Sequence, residues 1–314
     1  MSMIKTERLS KRFGSLNAVE NLTIEVADGE IFGFLGPNGA GKTTTIRLLS
    51  GLIEPSGGKA WVNGFELGSQ NDKIRASIGL LTETPGLYEQ LSALDNMLFY
   101  AELYTLSKAE ARQRVQEVLE WLSLWNRRDD QVITFSKGMK QKLAIGRALL
   151  HRPQILFLDE PTAGLDAESA KTVRDAIVTL KNTKRTIFLS THNMDEADKL
   201  CERIGIFKNR LIQIDSPRNL RRRFGVNSRR VRVQLRSEVA GLQSEVSKLP
   251  FVQQVALESI NIDAQNVYNM YISLDDPDNQ NPQLVKCIVE FGAEIQYVEE
   301  QTATLEDVYL DLIR

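Results

Sequence analysis

The chain has 314 residues, of which 42% are hydrophobic, 25% charged and 7% aromatic, a composition ordinary for a soluble globular protein. At about 150 residues per domain, this length predicts two domains with hydrophobic cores. The 39 basic and 41 acidic residues leave a net charge of −2. These values exclude a largely disordered chain and argue against a protein whose main role is to coat nucleic acid.

The sequence indicates neither membrane insertion nor secretion. No stretch approaches the roughly 18 to 20 apolar residues that a membrane-spanning helix needs, and the segment MSMIKTERLSKRFGS is charged where a signal peptide would be apolar. The two cysteines, Cys201 and Cys287, have no metal-binding or redox spacing and are too few for a disulfide framework. We therefore expect a cytosolic chain with buried or inert thiols.

Short apolar segments in the first two hundred residues predict a parallel sheet wrapped by helices. Strands are expected at 31–35, 155–158 and 186–190, which are nearly all apolar and bounded by breakers, as strands buried on both faces should be. Residues from about 92 to 150 predict a mainly helical insert. Its apolar stripe has helical spacing at Val115, Val118, Leu119 and Leu122.

The composition changes after Pro217. Residues 208–236 hold ten basic residues and one acidic residue, whereas residues 237–314 hold fourteen acidic and three basic residues. A solvated face or linker is the leading interpretation of the basic run, followed by contact with anionic lipid or with the acidic tail, and last by RNA binding. The order strand, helix, strand, helix, strand predicts a small α+β module, closed by a helix whose cap is formed by Thr304 and Asp307.

Residues 36–43 read GPNGAGKT and match the phosphate-binding pattern G-x-x-x-x-G-K-[ST]. The segment follows a predicted strand and opens a predicted helix at 42–50, which is the context that the pattern requires. Its glycines let successive N–H groups face an anion, and the helix N-terminus adds partial positive charge. Lys42 is expected to reach the β- and γ-phosphates of a nucleotide, and the Thr43 hydroxyl to ligate Mg²⁺.

Two acidic residues and one histidine follow the other predicted strands. Asp159 and Glu160 come at the end of a buried strand, where ligands bind in such sheets. Asp159 is expected to hold Mg²⁺ through water, and Glu160 to polarise the attacking water. His192 also stands at a strand end and is expected to contact the γ-phosphate, whereas His151 is expected at the surface.

Five segments now stand in an order that identifies a family. GPNGAGKT and ILFLDEP are joined by FSKGMKQ at 135–141, AGLD at 163–166 and STH at 190–192. In their order along the chain, these segments resemble those of the nucleotide-binding subunit of ATP-binding-cassette (ABC) transporters. The phosphate loop is shared by many ATPases, but the signature loop FSKGMKQ placed before the ILFLDE strand is specific to this family.

The resemblance covers residues 1–215 and implies an α/β fold, a P-loop NTPase cassette with a mixed sheet core. A helical subdomain at about 92–150 belongs to the cassette, and a small accessory α+β domain follows at 216–314. ATP and Mg²⁺ are the implied cofactors. The implied catalytic residues are Lys42, Glu160 and His192, and the implied metal ligands are Thr43, Asp159 and Glu83.

The resemblance further implies an ATP clamp made of two chains arranged head to tail, either identical or different. Each nucleotide lies between the phosphate loop of one chain and Ser136 and Gly138 of the other. The implied nucleotide contacts are Phe13, Gly36, Pro37, Asn38, Gly39, Ala40, Gly41, Lys42, Thr43, Thr44, Ser136, Gly138 and Asp166.

Three departures from the usual family pattern involve four positions. Lys137 and Met139 replace a glycine and a glutamine of the signature loop, and Glu83 stands where a glutamine usually links Mg²⁺ to the membrane subunit. Phe13 replaces the more common tyrosine that stacks on adenine, and stacking needs only its π-face. The first two departures, with SPRNLRRRFG and TLEDVYLDL in the tail, resemble the branch that exports drugs, lipids or polysaccharides.

The leading hypothesis is therefore the ATPase of an exporter, bound to a separate membrane permease at the cytoplasmic face and with no nucleic-acid partner. The main alternative is a soluble machine that uses the same clamp on ribosomes or DNA. Such relatives usually carry two cassettes or long coiled coils, and this chain has neither addition. A regulator that hydrolyses little is the third hypothesis, and the presence of Lys42, Glu160 and His192 counts against it.

Overall fold

The computed structural model describes residues 2–181, 184–224, 230–262, 265–274, 276–301 and 304–313. Proximity of Cα atoms divides the chain into two compact units, Met1–Pro217 and Arg218–Arg314. None of the described helices is both long and apolar enough to cross a membrane.

The first unit is built on a mixed sheet of eleven strands in its described residues. The strands are β1 (Ser2–Phe13), β2 (Leu16–Leu22), β3 (Glu25–Ala27), β4 (Ile31–Leu35), β5 (Gly57–Val62), β6 (Phe65–Glu66), β7 (Ile78–Leu81), β8 (Ile155–Asp159), β9 (Thr186–Thr191), β10 (Arg203–Lys208) and β11 (Arg210–Asp215). The helices are α1 (Lys42–Leu49), α2 (Asn71–Ser77), α3 (Ala93–Leu103), α4 (Lys108–Trp121), α5 (Lys137–Leu149), α6 (Ala167–Lys181) and α7 (Met194–Leu200).

The parallel part of this sheet has the order β7-β8-β9-β4-β10. Strands β4, β8 and β9 are buried along their whole length, which confirms the three predicted strands and the parallel sheet. Phe34 lies at the centre of the core, with its ring centroid 5.3 Å from that of Phe188 and 4.4 Å from that of Phe207. An antiparallel part formed by β1, β2, β3, β5 and β6 extends the sheet.

The helical insert is confirmed as three helices with a hydrophobic cluster of their own. The predicted stripe on α4 is buried in it, and Trp121 and Trp125 pack against its edge. Ser107 caps α4 in a capping box with Glu110, and the Ser92 side chain caps α3. Polar caps therefore fix where both helices begin.

His151 is not the surface residue that its sequence context predicts. Its ring is half-buried and stacks on Tyr104 with centroids 3.9 Å apart, and Nε2 lies 2.8 Å from the carbonyl oxygen of Ile78. Burial lowers the pKa of His151 below its ordinary value. The prediction was wrong because both neighbours come from elements remote in sequence.

The second unit contains a four-stranded antiparallel sheet, where the sequence predicted three strands. Its elements are α8 (Pro217–Phe224), β12 (Arg230–Leu235), α9 (Leu242–Val246), β13 (Val252–Ile262), β14 (Gln265–Leu274), α10 (Pro277–Glu290), β15 (Ile295–Gln301) and α11 (Leu305–Ile313). The strand order β13-β14-β12-β15 and the succession βαββαβ are those of a ferredoxin-like fold. The α+β class is therefore confirmed. The alternation of Tyr268, Met270, Ile272 and Leu274 predicts β14, whereas β13 is the strand that the sequence did not predict.

Part of the basic run lies on this sheet. Arg232 pairs with Glu299 at 2.7 Å and Arg236 with Glu294 at 3.2 Å, so these two basic residues contact the acidic tail. Arg229 lies outside the described residues. The predicted cap of the last helix is confirmed, because the Asp307 backbone N–H donates to Thr304 Oγ1 at 3.1 Å. Cys201 is buried, and Cys287 is half-buried and free.

We predict that Gly79→Ala destabilises the first unit by about 1–3 kcal/mol, because an overpacked core must shift its backbone. A Cβ atom at Gly79 in β7 would lie 2.2 Å from the carbonyl oxygen of Ala148 in α5. The control is Gly57→Ala in β5, where nothing lies within 4 Å of the added Cβ. Urea denaturation followed by circular dichroism should separate the two variants, and equal midpoints would contradict this account of the packing.

Candidate active site

The candidate residues lie at one edge of the sheet. Strands β4, β9, β8 and β7 are parallel neighbours, so their carboxyl ends meet at the same edge, which we call the carboxyl edge. The residues at or just beyond these ends, in that strand order, are Gly36 to Thr43, His192, Asp159 with Glu160, and Glu83. The topology therefore collects residues that are far apart in the sequence.

The phosphate loop connects β4 to α1 through a tight turn. Gly39 and Gly41 have φ angles of +80° and +99°, and Gly41 is the N-cap of α1. A Cβ atom at Gly41 would lie 2.1 Å from the carbonyl oxygen of Ala18, so a larger residue does not fit. The loop holds the N-terminus of α1 toward the carboxyl edge, an arrangement suited to an anion.

Lys42, Glu160 and His192 form a continuous chain of polar contacts. Lys42 Nζ lies 3.1 Å from Glu160 Oε1 and donates to the carbonyl oxygens of Gly36 and Pro37 at 2.7 and 3.1 Å. Glu160 Oε2 lies 2.8 Å from His192 Nδ1. Both Lys42 and Glu160 are buried, so each charge depends on the other for compensation.

Asp159 and Thr43 offer oxygen atoms of the kind that Mg²⁺ prefers. Asp159 is buried at the end of β8 and accepts a hydrogen bond from the Ser190 hydroxyl. Glu83 is exposed two residues beyond β7. No cluster of three His, Cys, Asp or Glu side chains suited to a metal occurs within the described ranges. The predicted set of Thr43, Asp159 and Glu83 nevertheless has the chemistry that suits Mg²⁺, because it offers a hydroxyl and two carboxylates.

The signature-loop residues Ser136 and Gly138 have their contacts at the start of α5 and on α6. Ser136 caps α5 by accepting from the Met139 backbone N–H at 3.2 Å, and within the described residues none of its hydrogen bonds reaches the phosphate loop. Gly138 packs so closely on Ser169 that a Cβ atom would lie 2.5 Å from its hydroxyl oxygen. The Ser169 hydroxyl in turn donates to Asp166 at 2.8 Å, and hydrogen bonds from Ser169 lower the pKa of Asp166.

Phe13 is the last residue of β1 and is 50% exposed. Lys11 Nζ lies 5.0 Å from its ring centroid and donates to the Glu54 carbonyl oxygen at 2.6 Å. Asn209 connects the hairpin that follows Phe13 to the phosphate loop. Its side-chain amide donates to the carbonyl oxygen of Asn17 in the hairpin, and its backbone N–H donates to the carbonyl oxygen of Ala40 in the loop. Phe13 therefore presents an aromatic ring on an element tied to the phosphate loop.

Sequence reasoning missed two groups of residues at the site. Arg147 Nη1 in α5 and the Tyr100 hydroxyl in α3 both donate to the Gly86 carbonyl oxygen at 2.9 Å, which holds the loop after Glu83. Glu196 in α7 is buried and accepts a hydrogen bond from Thr162. These contacts join residues far apart in sequence, so no local pattern could reveal them. The one available signal was the position of Glu196 four residues after His192.

Comparison with known proteins places the chain among ATP-binding proteins. Residues 19–163 match the family described as "ABC transporter". The bacitracin transport ATP-binding protein BcrA of Bacillus licheniformis is 36% identical over 313 residues, covering 99% of this chain and 97% of BcrA. The linearmycin resistance ATP-binding protein LnrL of Bacillus subtilis is 38% identical over 224 residues, covering 71% of this chain and 72% of LnrL.

A solved structure shares the fold and is similar in sequence. It is the dimeric, post-hydrolysis state of the ATP-binding cassette MJ0796 bound to ADP and phosphate. The TM-score is 0.62 at 25% identity, covering 68% of this chain and 98% of that cassette.

We predict that Gly41→Ala lowers nucleotide affinity and thermal midpoint more than Gly39→Ala does. Both glycines have positive φ, and a β-carbon in that region costs about 1–2 kcal/mol. Only at Gly41 would the added carbon also overlap the backbone, since nothing lies within 4 Å of a Cβ at Gly39. Binding of a fluorescent ATP analogue and thermal melts of both variants provide the test, and equal losses would contradict it.

Proposed function

Because the chain belongs to the ATP-binding proteins of ABC transporters, we propose that it hydrolyses ATP to power an exporter through a separate membrane permease. The family is one of ATPases, and this chain is an ATPase. The observation that carries the proposed mechanism is the contact of Glu160 with both Lys42 and His192 at the carboxyl edge. We assign hydrolysis to residues 1–215 and an accessory role to residues 216–314.

The triphosphate of ATP binds along the phosphate loop in the proposed mechanism. The backbone N–H groups of Gly39 and of residues 41–44 donate to the phosphate oxygens, and the ammonium of Lys42 neutralises their charge. Glu160 polarises the attacking water, and His192, held by Glu160, donates to the γ-phosphate. Lys42 exchanges its contact with Glu160 for the phosphates, which frees the carboxylate to accept a proton. Thr43, Asp159 and Glu83 would hold Mg²⁺, which would supply charge neutralisation for the phosphates.

The proposed active unit is a pair of chains arranged head to tail. Among the described residues, Ser136 contacts Met139 and Gly138 packs on Ser169, and we assign both to the nucleotide of a partner chain. The start of α5 there adds the positive end of a helix. The dimeric MJ0796 cassette bound to ADP and phosphate supports such a pair, as does the position of Asp166 beside the signature loop.

A membrane permease is the proposed partner, with the chain at the cytoplasmic face of the membrane. Exposed apolar side chains follow the loop that carries Glu83: Tyr88, Phe99 and Leu103. The rings of Tyr88 and Phe99 are in edge contact at 5.1 Å, and Leu103 lies one turn beyond Phe99 on α3. An apolar patch beside the active site is a suitable surface for a protein partner. The names of BcrA and LnrL, which refer to bacitracin transport and linearmycin resistance, support the assignment to export.

The exporter and the soluble-machine hypotheses differ in the partner they require. The tagged Glu160→Gln chain should be isolated from its own cells in mild detergent with ATP, and its partners identified by mass spectrometry. A membrane protein with several spans should be a main partner, and its identity would indicate the transported class of molecule. Ribosomal or DNA-processing proteins without a membrane partner would overturn the exporter proposal.

We predict that Glu160→Gln lowers the kcat of magnesium-dependent ATP hydrolysis by about 100-fold or more, because the amide cannot accept a proton from water. Binding of ATP should be retained, since the phosphate loop is unchanged. Phosphate release and nucleotide binding are measured on the same preparation, with Glu168→Gln at the exposed start of α6 as the control. Unaltered turnover in Glu160→Gln would overturn the proposed role of this residue.

We predict that two inactive variants complement each other when mixed. Lys42→Ala removes the phosphate-loop cation and Ser136→Ala removes the signature hydroxyl, so each homodimer lacks an intact composite site. A mixed dimer has one site with both defects and one site with neither. ATPase activity should therefore reappear on mixing, and a mixture with the double variant should stay inactive. Failure of the single variants to complement would argue against the head-to-tail pair.

A further inference from the structure

Glu196 is a buried acidic residue that the proposed mechanism does not use. It lies in the first turn of α7 and is 1% exposed. Burial raises the pKa of its carboxyl above the ordinary value, and the nearby Glu160 carboxylate raises it as well, while hydrogen bonds from Thr191 and Thr162 act in the opposite direction. A polar group taken out of water in this way is costly unless hydrogen bonds hold it.

The hydrogen bond between Thr162 and Glu196 joins the two segments that carry the catalytic residues. The Thr162 hydroxyl donates to Glu196 Oε1 at 2.9 Å, and Thr162 is itself only 8% exposed. Thr162 lies two residues after Glu160, and Glu196 lies four residues after His192. The backbone N–H of Glu196 also donates to the side chain of Asn193, the N-cap of α7, at 3.1 Å, which fixes the start of this helix.

We infer that Glu196 and Thr162 form a positioning pair that holds His192 against Glu160. The pair closes a ring of contacts in which the segment after β8 and the segment after β9 touch twice: at Thr162–Glu196 and at Glu160–His192. Neither member touches the reacting atoms, so both act through the catalytic residues. The inference rests on the proposed function, because it assigns a second contact to the same site. A displacement of about 1 Å can slow an enzyme by about 100-fold, so a lost tether should affect turnover.

The test compares Glu196→Ala, Glu196→Gln, Thr162→Val and Thr162→Ser in the purified full chain. Glu196→Ala and Thr162→Val should lower kcat by at least about tenfold with the KM for ATP within about twofold, since binding is intact and geometry is lost. Glu196→Gln and Thr162→Ser retain an acceptor and a donor and should keep most of kcat. The double variant Glu196→Ala with Thr162→Val should lose no more kcat than the slower of the two single variants. Asp195→Ala is the matched control, because this neighbouring acid is 85% exposed.

Several outcomes would overturn the inference. They are additive losses in the double variant, a raised KM with unchanged kcat, or a Glu196→Gln variant as slow as Glu196→Ala. If Glu196→Ala does not fold, the Thr162 variants decide alone, and retained kcat in Thr162→Val overturns the pair. Glu160→Gln is measured in parallel: full activity there refutes the proposed function, whereas its loss together with normal Glu196→Ala kinetics refutes only the positioning pair.

Discussion

The site depends on the compensation of charges inside a sheet core. Lys42 and Glu160 are both buried, and neither would be tolerated there as an isolated ion. Their contact at 3.1 Å, with backbone carbonyls on one side and His192 on the other, gives each charge a partner. A site of low polarity also strengthens every electrostatic interaction with a phosphate. Burial of Lys42 and Glu160 costs folding free energy, and the same burial strengthens their electrostatic interactions with a bound phosphate.

The parallel strand order makes this compensation possible. Three buried strands place the phosphate loop, Glu160 and His192 side by side at their carboxyl ends, although about 150 residues of sequence separate the first from the last. The aromatic cluster around Phe34 fixes the spacing of these strands from within. The signature loop opens α5, which packs both on the helical cluster and on β7 of the sheet. The sheet thus places the phosphate loop, Glu160 and His192, whereas the place of the signature loop also depends on the helical cluster.

How far the sequence predicts this protein depends on whether a feature is local. The phosphate loop and the strand-end residues were predictable because their spacing within a few residues determines their chemistry. The environment of His151 was not, since Tyr104 and Ile78 reach it from elsewhere in the fold. Glu196 was missed for the same reason. Strand β13 was missed because it is an edge strand rich in polar residues, with only β14 beside it. The roles of the individual site residues remain predictions.

The hydrophobic clusters have a consequence for spectroscopy. All three tryptophans belong to the first unit: Trp61 is in β5, while Trp121 and Trp125 pack on the helical cluster. The second unit has its own cluster and contains only tyrosines as emitting or strongly absorbing side chains, namely Tyr268, Tyr271, Tyr297 and Tyr309. Indole fluorescence therefore observes one unit and is blind to the other, whereas far-ultraviolet dichroism sums both. Separate unfolding of the two cores would therefore give two transition curves that do not coincide.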